Sequence, residues 1–269
     1  MNSWPARVMM DGNRVGRTAL ASVSFLGHAT VLLEVEGVRV LTDPVLRPHL
    51  MFLQRVVPPL PPSTYDGVDV VVISHLHQDH CDVPSLAMLG RHVPIVVPRG
   101  GENFLRGNGF DNVFALAPGE TLRVGPVSVT ATPAVHDGAR RPFGPVAGAV
   151  GYLIASAEYR IYYAGDTDLF AAMRDLSAGL DLALVPVWGW GPNLGPGHLD
   201  PARAATAVEL LRPRRAIPVH WGTLFPYGLR FFYPDRLRIP PRAFARAVAE
   251  RGQAEVVVLE PNGEPVGLP

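Results

Sequence analysis

The segment that decides the fold is Val71-Val72-Ile73-Ser74-His75-Leu76-His77-Gln78-Asp79-His80. An apolar, β-branched run reads as a buried strand, here Val68–Ser74, and it ends in three histidines and an aspartate within six positions. His75 and His77 are two apart, so in extended backbone both side chains point the same way. Asp79 and His80 fall on the turn that follows, and Asp82 with Pro84 can open a short helix behind them. Imidazole and carboxylate donors without thiolate suit zinc first, then manganese or iron. Packed together without a cation, such groups would each cost several kcal/mol, on the order of magnitude set by burying unpaired polar atoms.

Working outward, Thr30–Val35 and Val38–Leu41 flank Glu36-Gly37 and read as a hairpin. Further strands are expected at Pro94–Val97, Leu122–Val124, Val127–Thr132, Val150–Ala155, Tyr159–Ala164, Leu182–Val185, Ala216–Val219 and Glu255–Leu259. Three helices are expected. Asp168 caps one bearing Leu169, Ala172, Met173 and Leu176, which Gly179 ends. Asp200-Pro201 opens a second, with Ala204, Ala207, Val208 and Leu211 on one face and Pro213 as its stop. Pro241 starts a third, with Phe244, Ala247 and Val248 on one face and Gly252 as terminator. Two batches of strands with helices between and after suggest two packed sheets covered by helices. No linker or repeat divides the chain, so residues 1–269 are read as one domain.

Composition narrows the function. The chain has 269 residues, of which 48% are hydrophobic and 18% charged, which excludes a disordered protein. All 24 basic residues are arginine, so Schiff-base chemistry, a phosphate-loop lysine and a lysine general base are excluded. The 24 acids balance them, which argues against nucleic acid as the main partner. A single cysteine, Cys81, allows no intrachain disulfide, and a packing role is expected for it rather than a nucleophile's. No Gly-x-Ser-x-Gly elbow is present. The opening MNSWPARVMMDGNRVG lacks the apolar core of a secretory leader, and no apolar run is long enough to span a membrane, so a cytoplasmic protein is expected.

His75-x-His77-x-Asp79-His80 resembles the signature of the metallo-β-lactamase fold. The resemblance continues in order through His136 in Thr132-Pro133-Ala134-Val135-His136, Asp166 in Tyr163-Ala164-Gly165-Asp166-Thr167, and His220 in Pro218-Val219-His220-Trp221-Gly222-Thr223. Gly27-His28-Ala29-Thr30 and Thr42-Asp43-Pro44 match upstream, so it spans about residues 24 to 224. The Gly-His-Ala-Thr, His-Trp-Gly-Thr and Gly197-His198-Leu199-Asp200-Pro201 elements are similar to the branch that holds ascorbate-phosphate lactonases and N-acyl-phosphatidylethanolamine phospholipases D. The chain departs from the phospholipase pattern around Arg47–Pro62, so lipid specificity is not carried over.

The resemblance implies an α/β (α+β) fold, a four-layer αββα sandwich. It implies two zinc ions, with manganese or iron as substitutes: His75, His77 and His136 on the first, Asp79, His80 and His220 on the second, and Asp166 bridging. Two dications less Asp79, Asp166 and a bridging hydroxide leave about one net positive charge, which favours an anionic substrate group. The expected activity is hydrolysis of a small or lipid-like ester, lactone or phosphodiester by that hydroxide, with Asp79 and His198 as catalytic candidates. A nuclease of the same superfamily and a non-catalytic metal-binding relative are the alternatives.

Around these, Asp43 either fixes the tautomer of a ligating histidine or only shapes a turn. His28 either lines the site or bonds a backbone carbonyl. Phe225, Tyr227, Phe231, Phe232 and Tyr233, with Trp188 and Trp190, read first as core and second as pocket wall. Leu50–Leu60 is left as a lid, an oligomer contact or a membrane-facing patch.

Overall fold

The computed structural model describes residues 21–140, 144–252 and 254–269. The leader-free reading of the first sixteen residues lies outside them. Two seven-stranded sheets pack face to face. The first has the order Val266–Gly267, Ser22–Gly27, Thr30–Val35, Val38–Thr42, Val70–Val72, Ile95–Pro98, Val113–Leu116. The second runs Glu255–Val256, Arg215–Val219, Leu182–Pro186, Arg160–Tyr163, Val150–Ala155, Val127–Pro133, Thr121–Val124.

Alternation along the strands builds the layers. Val31, Leu33, Val40, Val70, Val72 and Val96 point into the core between the sheets, while Leu32, Leu41, Val71, Ile73, Ile95 and Val97 point outward. That outer face is covered by the short helices Val83–Met88 and Glu102–Gly107, through Leu86 and Leu105. Both faces of the strand are therefore buried, which is why it reads as a continuous apolar run. Each fully buried Val or Leu is worth about 1.5–3 kcal/mol. On the second sheet, helices Pro201–Leu211 and Ile239–Ala249 supply the fourth layer with Ala204, Val208, Leu211, Phe244 and Val248. The order is helix, sheet, sheet, helix, as the metallo-β-lactamase resemblance implies.

Asp200 caps its helix by accepting from the Arg203 N–H at 2.9 Å, and Arg212 leaves it in the left-handed region (φ 48°) just before Pro213. The last helix begins at Ile239, two residues before the expected start, with Pro240 and Pro241 in its first turn where no N–H partner is needed. The helix expected after Asp168 is instead a 3-10 segment, Ala171–Leu176, with Phe170 at its N-cap. Asp168 is engaged elsewhere. Its N–H donates to the Val135 carbonyl at 2.9 Å, and its carboxylate pairs with Arg203. The expected strand at Val68–Ser74 contracts to Val70–Val72 and that at Glu255–Leu259 to Glu255–Val256.

A three-stranded sheet, Leu224–Pro226, Leu53–Arg55, His49–Leu50, was not legible beforehand. Its strands are two or three residues long and join segments far apart in sequence. It turns part of the Leu50–Leu60 stretch into paired strand, with Met51 and Phe52 at the hairpin tip. Among the described residues, no helix is long and apolar enough to cross a membrane.

Candidate metal centre

Strand direction gathers the site. Arg160–Tyr163, Leu182–Pro186 and Arg215–Val219 are parallel, and Val127–Pro133 regains their direction after two antiparallel steps. Their carboxyl ends carry Asp166, the Trp188 loop, His220 and His136 to one edge. In the first sheet Val38–Thr42 and Val70–Val72 are parallel, and Ser22–Gly27 shares their direction. Their ends deliver Asp43, the His75–His80 turn and His28 to the same edge. Three of these residues leave their strands in the left-handed region, His28 (φ 56°), Asp43 (φ 33°) and His220 (φ 63°). Non-glycine residues rarely do so, and such positions cluster at functional sites. The His220 N–H donates to the His28 carbonyl at 2.6 Å, stitching the two sheets together beside the site.

The histidine, aspartate and carbonyl partners decide which ring nitrogens face inward. His136 Nδ1 donates to the Gly197 carbonyl (2.8 Å) and His220 Nδ1 to the Trp188 carbonyl (2.9 Å). His80 Nδ1 donates to Asp43 Oδ2 (2.6 Å). Ser74 Oγ donates to the same carboxylate and so accepts from His75 Nδ1 at 3.0 Å. In each ring Nε2 is left pointing into the cluster. There His80 Nε2 and His220 Nε2 stand 3.1 Å apart, and His77 Nδ1 stands 2.9 Å from His75 Nε2 and 3.2 Å from His136 Nε2. Two ring nitrogens facing each other at such a distance share either a proton or a cation.

Asp166 Oδ2 lies 3.1 Å from His80 Nε2, 3.4 Å from His220 Nε2 and 3.3 Å from His198 Nε2. Its Oδ1 is buried without a hydrogen-bond partner. Asp79 Oδ2 lies 3.6 Å from His80 Nε2 and 3.7 Å from His220 Nε2, and accepts from His28 Nε2 at 2.9 Å. Donor atoms within 4.8 Å of one another fall into overlapping groups: His75–His77–His136, His28–Asp79–His80–His220, Asp43–His75–His80 and His136–Asp166–His198.

Charge and burial act against each other here. Burial alone would raise the Asp166 carboxyl, but the imidazoles of His220 and His80 hold it well below the usual carboxylate range. Asp79 is likewise held low despite burial, chiefly by His80. Burial would lower His80, and Asp166, Asp79 and Asp43 lift it well above the ordinary histidine value. Burial pushes His136 down to about 4 and His28 to about 3. Such clustering of perturbed groups marks functional sites.

All seven expected ligands come together, as do His28 and His198. Asp43 does more than shape a turn. It also accepts from the Ser74 N–H (2.7 Å) and the Tyr163 hydroxyl (2.6 Å), so one buried carboxylate orients His80 directly and His75 through Ser74. Tyr163 was missed, since nothing but its place before Ala164-Gly165-Asp166 marks it. Cys81 is buried in the packing beneath the first sheet, with its thiol pushed up to about 12 by burial. A cavity of about 500 Å³ opens above the cluster, walled by Met51, Phe52, Trp190 and Leu194, with His198 on its lining. Phe52 meets Trp190 edge-on, ring centres 5.1 Å apart. Of the expected aromatic cluster only Phe225 is core; Phe231 and Phe232 are 72% and 77% exposed.

Residues 38–221 match the β-lactamase superfamily domain. A metal-dependent hydrolase of Methanopyrus kandleri is 32% identical over 255 residues, covering 89% of this chain and 97% of the relative. The N-acyl-phosphatidylethanolamine-hydrolyzing phospholipase D 1 of Caenorhabditis elegans is 28% identical over 241 residues, 78% of this chain and 66% of the relative. Among solved structures, a metallo hydrolase of Ignicoccus hospitalis superposes with a TM-score of 0.71 at 25% identity, covering 92% of this chain and 98% of that one.

Proposed function

The chain belongs to the β-lactamase superfamily, and from that membership and the geometry of its histidine cluster we propose that it is a metal-dependent hydrolase of a small or lipid-like anionic ester, lactone or phosphodiester. The observation that carries the reading is the set of inward-facing Nε2 atoms, above all His80 against His220 at 3.1 Å. With both Nδ1 atoms committed as donors, a proton or a metal must sit between them. The orphaned Asp166 Oδ1, which asks for a partner the protein does not supply, supports the same conclusion.

In this reading His75, His77 and His136 hold one cation, Asp79, His80 and His220 hold a second, and Asp166 reaches both. A donor set of imidazole and carboxylate fits zinc, with manganese or iron as alternatives. The chemistry such a pair supplies is Lewis-acid polarisation of a carbonyl or phosphoryl oxygen, with hydroxide accessible near neutral pH.

The chain's own residues do the rest. Asp43 and Ser74 hold two imidazoles in the tautomer that exposes Nε2. His28 donates from Nε2 to Asp79 Oδ2 and fixes that carboxylate. His198 Nδ1 is tied to the Pro196 carbonyl at 3.0 Å, and its ring lines the cavity, so it can hand a proton to a leaving oxygen there. Met51, Phe52, Trp190 and Leu194 shed water from an apolar substrate body.

The test is turnover of a panel holding a phosphodiester, a lactone and a simple ester, before and after chelation and metal return. Hydrolysis of at least one member that chelation abolishes and metal restores supports the reading. Undiminished turnover in a fully demetallated chain refutes it.

A further inference from the structure

A second cavity, of about 650 Å³, lies behind the His220 turn. Val56, Trp221, Phe231, Leu237, Pro241 and Val258 give it apolar walls, and it shares no lining residue with the cavity over the metal centre. Its size falls within the range of small-molecule pockets. Arg230, Arg238 and Arg242 also line it, against a single acid, Glu260. Arg230 rests over the Phe231 ring at 4.8 Å, and among the described residues neither Arg238 nor Arg242 has an ion-pair partner. In a chain whose 24 arginines balance 24 acids, three guanidinium groups around one apolar cavity are a local excess.

We propose that this cavity binds an amphiphilic carboxylate, the acyl chain lying along Trp221, Leu237 and Val258 and the head group meeting Arg238 and Arg242. Guanidinium forks match carboxylate geometry and hold it by paired charge-assisted hydrogen bonds. The Trp221 indole N–H is already committed to the Pro218 carbonyl at 2.9 Å and the ring is buried against Phe25, so it gives the cavity an apolar edge and no free donor. Binding here needs no metal, so it stands apart from the hydrolase reading.

The test is calorimetric titration of the full chain with octanoate, decanoate and decanol. Decanoate should bind saturably, about 15-fold tighter than octanoate because each of its two extra buried methylenes is worth about 4-fold. Decanol, lacking the charge, should bind about 10- to 100-fold more weakly. The double variant Arg238→Ser, Arg242→Ser should weaken decanoate by a similar factor, and Glu260→Gln should strengthen it about 3-fold by removing one repulsive charge. Loss of binding in Met51→Ser, Phe52→Ser with retention in the arginine variant would move the ligand to the metal-site cavity and overturn the proposal. So would the absence of saturable decanoate binding.

Discussion

Asp43 Oδ2 stands 2.6 Å from His80 Nδ1, and neither side chain is exposed to solvent. The same carboxylate collects the Ser74 N–H, the Ser74 hydroxyl and the Tyr163 hydroxyl. One aspartate from the first sheet thereby sets the orientation of histidines that meet donors from the second.

Replacing Asp43 by alanine strands these donors in the core. Breaking a buried network this way costs about 3–5 kcal/mol, so a marked fall in melting temperature is expected. Asp43→Asn keeps the shape but cannot hold the His80 N–H as a charged acceptor. It should keep most of the stability yet weaken metal binding about 10- to 100-fold, read by competition with a chelating dye.

Gly165 takes φ +60°, and a Cβ there would come within 2.5 Å of Ser74 Cβ. Gly165→Ala should therefore push the Asp166 turn away from the Ser74–Asp43 anchor. A destabilisation of about 2–4 kcal/mol in denaturant melts is expected, combining left-handed strain and overpacking. Gly119→Ala, also at positive φ but with nothing within 4 Å of its Cβ, should cost only the strain.

The Cys81 thiol, buried and pushed up to about 12, holds almost no thiolate at neutral pH. Iodoacetamide should leave it unmodified in the native chain and alkylate it readily once denaturant opens the core. Cys81→Ala should keep turnover, since the thiol belongs to the packing beneath the first sheet. A turnover loss that tracks alkylation of the folded chain would contradict this.

Burial pushes His28 down to about 3 in the fold, against about 6.5 for a free histidine. Below about 6.5 the unfolded chain takes up a proton the folded one refuses, so this residue's contribution to stability falls as pH drops towards its folded value. His28→Gln does not titrate. The stability of wild type relative to this variant should shrink by about 1.4 kcal/mol per pH unit across that window. A difference independent of pH would contradict the buried, neutral state of His28.

Much of the centre was legible because its histidines and aspartates sit where strands end, and strand ends are easy to read from β-branched runs. The His75–His80 turn and the Thr132–His136, Tyr163–Asp166 and Pro218–His220 segments all follow that rule. Asp168 misled because a helix cap and an ion pair with a distant arginine look alike in sequence. Arg203 stands 35 positions away and only the fold brings it close. The three-stranded sheet escaped for the same reason: Leu53–Arg55 has little strand character alone and gains its partners from Leu224–Pro226. Exposure of Phe231 and Phe232 was equally hidden, since clustered aromatics are most often core.

The most direct test of the account is metal content by mass spectrometry on the native chain and on His77→Ala, Asp166→Asn and His220→Ala. About two transition-metal equivalents per chain are expected in the native protein, as a two-cation site requires. His77→Ala and His220→Ala should each fall by about one equivalent and Asp166→Asn by more, since that carboxylate is proposed to reach both positions. A native chain that carries no metal after metal-replete expression, or three variants that load as the wild type does, would contradict the central claim.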